Sequence, residues 1–173
     1  MSNANKYPLK YDDASWHFEY FEQRKNSTKN AYIHIAHLLN WAIIRNLLSE
    51  EYIKSLPKEA QKCLNDVKQR KVTAQAFLER YMDGCLLSKD FTKKANDFLS
   101  AYYEQFYLDD INGYFTSNAW YIYDKQAKML DERFAEWEKT GSFKKKQPKQ
   151  DDFSTLKKLF SGIGLNIGNK SKK

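Results

Sequence analysis

The chain is short of the features that usually announce a function. It has two cysteines, Cys63 and Cys85, far apart and outside any CxxC pattern. That argues against a disulfide framework and fits a reducing compartment. There is no GxGxxG or Walker loop, no serine nucleophile elbow and no HExxH, so dinucleotide, nucleotide, acyl-transfer and zincin chemistry have no local signature. The opening residues, MSNANKYPLKYDD, lack the apolar segment of a signal peptide. No stretch spans a bilayer, and a cytoplasmic location is expected. There is no strongly alternating strand pattern and no internal repeat.

What is present is a helical pattern rich in rings. Aromatic residues make up 16% of 173 residues, with 12 tyrosines, so the expected core is built from large side chains, many with a polar tip. The most apolar run is Ala31 to Ser49. Ile35, Leu38, Leu39, Ala42 and Ile43 recur at three-and-four spacing, and Ile33, Trp41, Ile44, Leu47 and Leu48 extend the apolar surface most of the way round. A helix of that kind is buried in a bundle or in a membrane. His34, His37, Asn40, Arg45 and Asn46 interrupt a run that would need about 20 apolar residues to cross a bilayer, so a central bundle helix is predicted. Asn30 is placed to cap it.

Other elements follow from caps and stripes. A short helix over 11–21 is predicted behind Asp12 or Asp13 as its cap. Ser49 opens a helix from Glu50 that stops at Pro57, and Lys58–Lys71 forms a surface helix. Thr73 is placed to cap a segment with Ala76, Phe77 and Tyr81 toward the core. Asp83-Gly84 signals a turn with Gly84 left-handed. Ser88 opens a long helix from Lys89 to about Ile111, and Ser117 opens another over 118–139 that Gly141 closes. The expected architecture is all-α, a single-domain bundle of five to seven helices with a basic C-terminal tail. Its divisions are an extended arm over 1–10, the helical domain over 11–140, and a basic linker with a short amphipathic tail over 141–173.

The net charge of +7 belongs to that tail. Residues 139–173 carry ten lysines and two aspartates, a net +8, whereas residues 1–138 carry 19 basic and 20 acidic side chains, a net −1. A near-neutral body argues against a nucleic-acid-binding surface. Lys144, Lys145, Lys146, Lys157 and Lys158 are the candidates for contact with an anionic membrane surface or an acidic partner; a solubilising extension is the plainer alternative.

Asp12, Asp13 and His17 form a compact polar group beside Trp16. It reads either as capping and packing or as acid–base chemistry. His34 and His37 stand at metal-ligand spacing, but as core histidines they need only hydrogen-bond partners. Asp83, Asp109 and Asp110 are acidic candidates for a contact surface. No cofactor and no metal is assigned, and the oligomeric state is left open.

Tyr11-Asp12-Asp13-Ala14-Ser15-Trp16-His17, then His34-Ile35, Leu39, Trp41-Ala42-Ile43, Arg45 and Leu47, then Asp83-Gly84 with Leu86, and Phe98 with Tyr102-Tyr103, resemble a family of small bacterial proteins known as a domain of unknown function. The likeness covers residues 11 to about 138. The chain departs from the family pattern at Ala36 and Asn46, where glycines are expected, and at His37, where an apolar residue is usual. The resemblance brings no activity with it. In size and character the family is similar to the immunity proteins of bacterial toxin systems. The expected function is therefore a non-catalytic protein that neutralises a toxin or effector in a stoichiometric complex, through Asp12, Asp13, Trp16, His17, Asp83, Asp109 and Asp110. The rival is an enzyme with an acid–base or metal site around Asp12, Asp13, His17 and His34. A third reading is a peripheral membrane binder acting through the tail.

Overall fold

The computed structural model describes residues 8–114 and 117–144. Its centre is α2, Ala31–Ile44, in which every residue from Ile33 to Ile43 is buried. That burial is what an apolar surface on all sides demands. Helix α5 (Ala74–Tyr81) and helix α8 (Trp120–Thr140) pack along it. Asn30 makes no capping bond; Ser27 instead caps a 3-10 turn over Thr28–Asn30 that leads into α2. Past its end, Asn46 is left-handed at φ 55° and Leu47 N–H returns to Ala42 O at 2.8 Å.

The local signals that follow behave as predicted. Ser49 Oγ accepts from Tyr52 N–H and opens α3, Glu50–Ser55. Helix α4, Lys58–Lys68, follows Pro57 and buries only Ala60, Cys63, Leu64 and Val67. Asp83 and Gly84 both have positive φ, 49° and 74°. Gly141 closes α8 at φ 67°.

Two expectations are corrected. The segment over 11–21 is not one capped helix: Lys10–Asp13 is strand β1, Ala14–His17 a 3-10 turn, and Phe18–Glu22 the short helix α1. Strand β1 pairs antiparallel with β2, Cys85–Leu87, with an irregularity between Lys10 and Asp12. Asp13 still caps, accepting from Ser15 N–H at 2.9 Å, but caps the 3-10 turn. The long helix from Lys89 also breaks. Phe91 is extended and bridges to Leu48, Thr92 N–H bonds to Leu47 O, and Thr92 rather than Ser88 caps helix α6, Lys93–Tyr102. Helix α6 then widens into a π-helical stretch, Tyr103–Tyr107, before the last turn α7, Leu108–Asp110.

The core of the unit that ends at Phe143 is one ring-rich cluster. Phe98 sits at its middle, 5.5 Å from Trp41, 5.1 Å from Phe134 and 4.9 Å from Tyr102, mostly in edge or offset contacts. No described helix is long and apolar enough to cross a membrane.

Candidate functional site: a buried carboxylate between two histidines

The alternation of β1 sends Asp12 and Asp13 to opposite sides. Asp12 turns inward and is only 4% exposed. Its Oδ1 accepts from His17 Nε2 at 2.7 Å, and its Oδ2 from His34 Nε2 at 3.1 Å. Tyr103 OH donates to Oδ2 as well. These partners come from the 3-10 turn, from α2 and from the π-helical stretch, so the cluster ties β1 to the bundle. Tyr103 and Tyr107, four residues apart on one side of this stretch, both point inward: the rings stack at 5.0 Å, and Tyr107 OH donates to His34 O at 2.5 Å. The ring of Tyr114 lies 5.0 Å from both imidazoles, which themselves meet edge-on at 4.7 Å.

Burial alone would raise the Asp12 pKa, but hydrogen bonds from His17, His34 and Tyr103 outweigh it and hold the carboxyl below the usual range. For His34 the balance goes the other way. Burial pushes its pKa down despite the pull of Asp12. Burial, with Asp12 beside it, drives the Tyr103 phenol well up, so it stays a donor.

Asp13 faces a different set. Lys10 Nζ lies 2.6 Å from it, Ser15 Oγ donates at 2.6 Å and Cys85 Sγ donates at 3.2 Å. Burial and the bond to Asp13 push the Cys85 thiol up to about 11, which makes it a donor and no nucleophile.

The structure thus gathers Asp12, His17 and His34 and leaves the other candidates apart. Trp16 is 59% exposed. Asp83 is exposed in the turn after α5, and Asp109 is exposed on α7. Asp110 is engaged inside by Arg133 and Tyr102. His37 points away from the cluster, donating from Nε2 to Ser117 O at 3.1 Å and packing 4.3 Å from Tyr123. Lys144 is exposed; Lys145, Lys146, Lys157 and Lys158 lie outside the described residues.

Tyr103, Tyr107 and Tyr114 complete the cluster; from sequence Tyr103 figured in the family resemblance, and none of the three was a candidate site residue. A regular helical stripe already puts Tyr103 four residues after the buried Leu99, as an ordinary core position. Among the described residues one cavity of about 160 Å³ lies beside Asp83 and Cys85, and another of about 300 Å³ is walled by Ile43, Leu48, Ile53 and Leu64. Neither is lined by Asp12, His17 or His34. Chemically, the cluster can hold an imidazole in fixed orientation for proton transfer, or present two ring nitrogens and a carboxylate to a cation.

The family described as a domain of unknown function, DUF7832, matches residues 10–137. The chain belongs to that family. The family's extent runs from the first residue of β1 into the last turns of α8 and takes in the whole Asp12 cluster, while the lysine-rich segment falls beyond it. No curated protein and no solved structure matches the chain.

Proposed function

We propose that the chain is a binding protein that forms a stoichiometric complex with another protein, and that this partner is a toxin which it neutralises in the manner of an immunity protein. The observation that carries the reading is the mounting of Trp16. Trp16 is 59% exposed, so a large ring is open to a partner, and it stands on a turn that cannot easily fold it away. Asp13 bonds to the backbone and hydroxyl of Ser15, and Ala14 N–H bonds to Gly84 O at 3.0 Å. Leu9, 52% exposed, lies just before β1, and Lys10 Nζ sits 5.4 Å from the Trp16 ring. A rigid exposed ring with a lysine beside it has the composition of a binding hot spot. The acidic Asp83 stands on the turn to which Ala14 is bonded. The near-neutral body and its likeness in size and character to immunity proteins direct the choice of partner.

Capture from the native cell, followed by co-expression with the captured protein, tests the proposal. Trp16→Ala should weaken the complex by at least about 30-fold, the effect of a hot-spot residue, and leave the melting temperature unchanged. Recovery of no protein partner, or a complex indifferent to Trp16→Ala, would overturn it.

A further inference from the structure

We infer that Asp12, His17 and His34 form a binding site for one divalent first-row transition-metal ion, with zinc as the test case. Two imidazole nitrogens and a carboxylate oxygen lie within 4.8 Å of one another. They are delivered by a strand, a turn and a helix that the core holds in place independently. A buried carboxylate calls for a cation or a metal. Among the described residues no lysine or arginine reaches Asp12; its hydrogen-bond partners are two imidazoles, a phenol and the backbone N–H of Asp13.

The donor set narrows the class of ion. Imidazole with carboxylate suits zinc, iron, cobalt or nickel, whereas calcium and magnesium take oxygen ligands throughout. The nearest thiol, Cys85, is turned to Asp13 and plays no part. To receive an ion, each Nε2 must present its lone pair, so the N–H bonds to Asp12 must give way. In His34 the proton would pass to Nδ1, which is buried and has no hydrogen-bond partner among the described residues, so the bond from the ion to Nε2 must offset one unmet donor. His17 sits at the rim with its side chain 15% exposed, which gives the ion a way in. Tyr103 OH stays on Asp12 as the outer partner that orients a ligating carboxylate.

The full chain, stripped with chelator, would be titrated with Zn²⁺ by calorimetry and with Co²⁺ by visible absorption. The expected result is one ion per chain, ligand-field bands for Co²⁺, and a raised melting temperature. His17→Gln, at the rim, should weaken binding by at least about 100-fold, beyond what loss of an outer partner costs, while its circular dichroism matches the parent. His37→Gln should bind like the parent. Tyr103→Phe, which keeps all three ligands, should lose no more than about 100-fold. Absence of stoichiometric uptake, or uptake unaffected by His17→Gln, would overturn the inference. These readouts need no protein partner, so they stand or fall apart from the proposed complex.

Discussion

Arg133 grips Asp110 with two prongs, Nε to Oδ2 at 2.6 Å and Nη2 to Oδ1 at 2.9 Å, where the two side chains are only 7% and 3% exposed. Tyr102 OH adds a third bond to Oδ2 at 2.8 Å, and Glu136 holds Arg133 from the other side at 2.8 Å. The pair ties the end of α7 to the middle of α8. A carboxylate so engaged is poorly available to a partner, whereas its neighbour Asp109 remains exposed.

Removing one half of that pair leaves the other charge buried. Asp110→Ala and Arg133→Ala should each cost roughly 3–5 kcal/mol, measured by denaturant unfolding. Replacing both with apolar residues, Asp110→Leu with Arg133→Met, should cost clearly less than the sum. Fully additive losses would mean that the two side chains act independently.

His37 sets a pH dependence. Burial takes its pKa down from 6.5 to about 4, against the opposing bond to Ser117 O. Above pH 6.5 the folded and unfolded chains are both neutral at this site, and the stability is intact. Between about pH 6.5 and pH 4 the unfolded chain takes a proton that the folded one refuses, so stability falls. At 1.36 kcal/mol per pKa unit the loss from this group reaches about 3 kcal/mol. His37→Leu removes the titration, and its stability should fall less steeply than the parent's across that window. Parallel curves would contradict the assignment.

How much of this was legible depends on whether each cause was local. Helix α2 was readable because its apolar residues leave no polar face, and Ser49, Gly84 and Gly141 because caps and left-handed turns act within a few residues. Strand β1 was not, since three or four residues of Tyr-Asp-Asp type become a strand only when Cys85–Leu87 arrives to pair with them. The break before α6 was hidden for a similar reason: Phe91 is extended because Leu48 holds it. Asp12, His17 and His34 were grouped from sequence as one candidate site. Asp13 was grouped with them as the next residue of a compact polar run, and strand alternation separates it. Tyr103 was legible as a core position four residues after Leu99, but its bond to Asp12 was not, because strand β1 carries Asp12 to it from 91 residues away.

Gly84 should not tolerate a side chain. Its φ of 74° strains any other residue, and a Cβ there would lie 2.9 Å from Tyr32 Cε1 and 3.0 Å from Ala14 Cβ. Gly84→Ala should cost roughly 1–3 kcal/mol. Gly113→Ala is the control, since it shares the positive φ at 78° but meets nothing within 4 Å. The difference between the two variants isolates the steric part. Equal losses would show that the backbone alone matters.

The end of the folded unit can be located by truncation. The helical domain was expected to close at Gly141, but apolar packing continues to Phe143, whose ring lies 5.2 Å from Tyr102, 5.1 Å from Phe106 and 5.9 Å from Phe98. Phe143 is half-buried, so its loss should cost less than the roughly 3–5 kcal/mol of a fully buried ring, about 1–3 kcal/mol. A chain ending at Phe143 should melt close to the parent. A chain ending at Gly141 should melt several degrees lower, because Phe98, Tyr102 and Phe106 lose their cover. Phe143→Ala in the full chain should reproduce the shorter truncation. If both truncations melt with the parent, Phe143 contributes nothing to the core. If both fall equally and far, residues beyond 143 belong to the fold, and the division at that point is wrong.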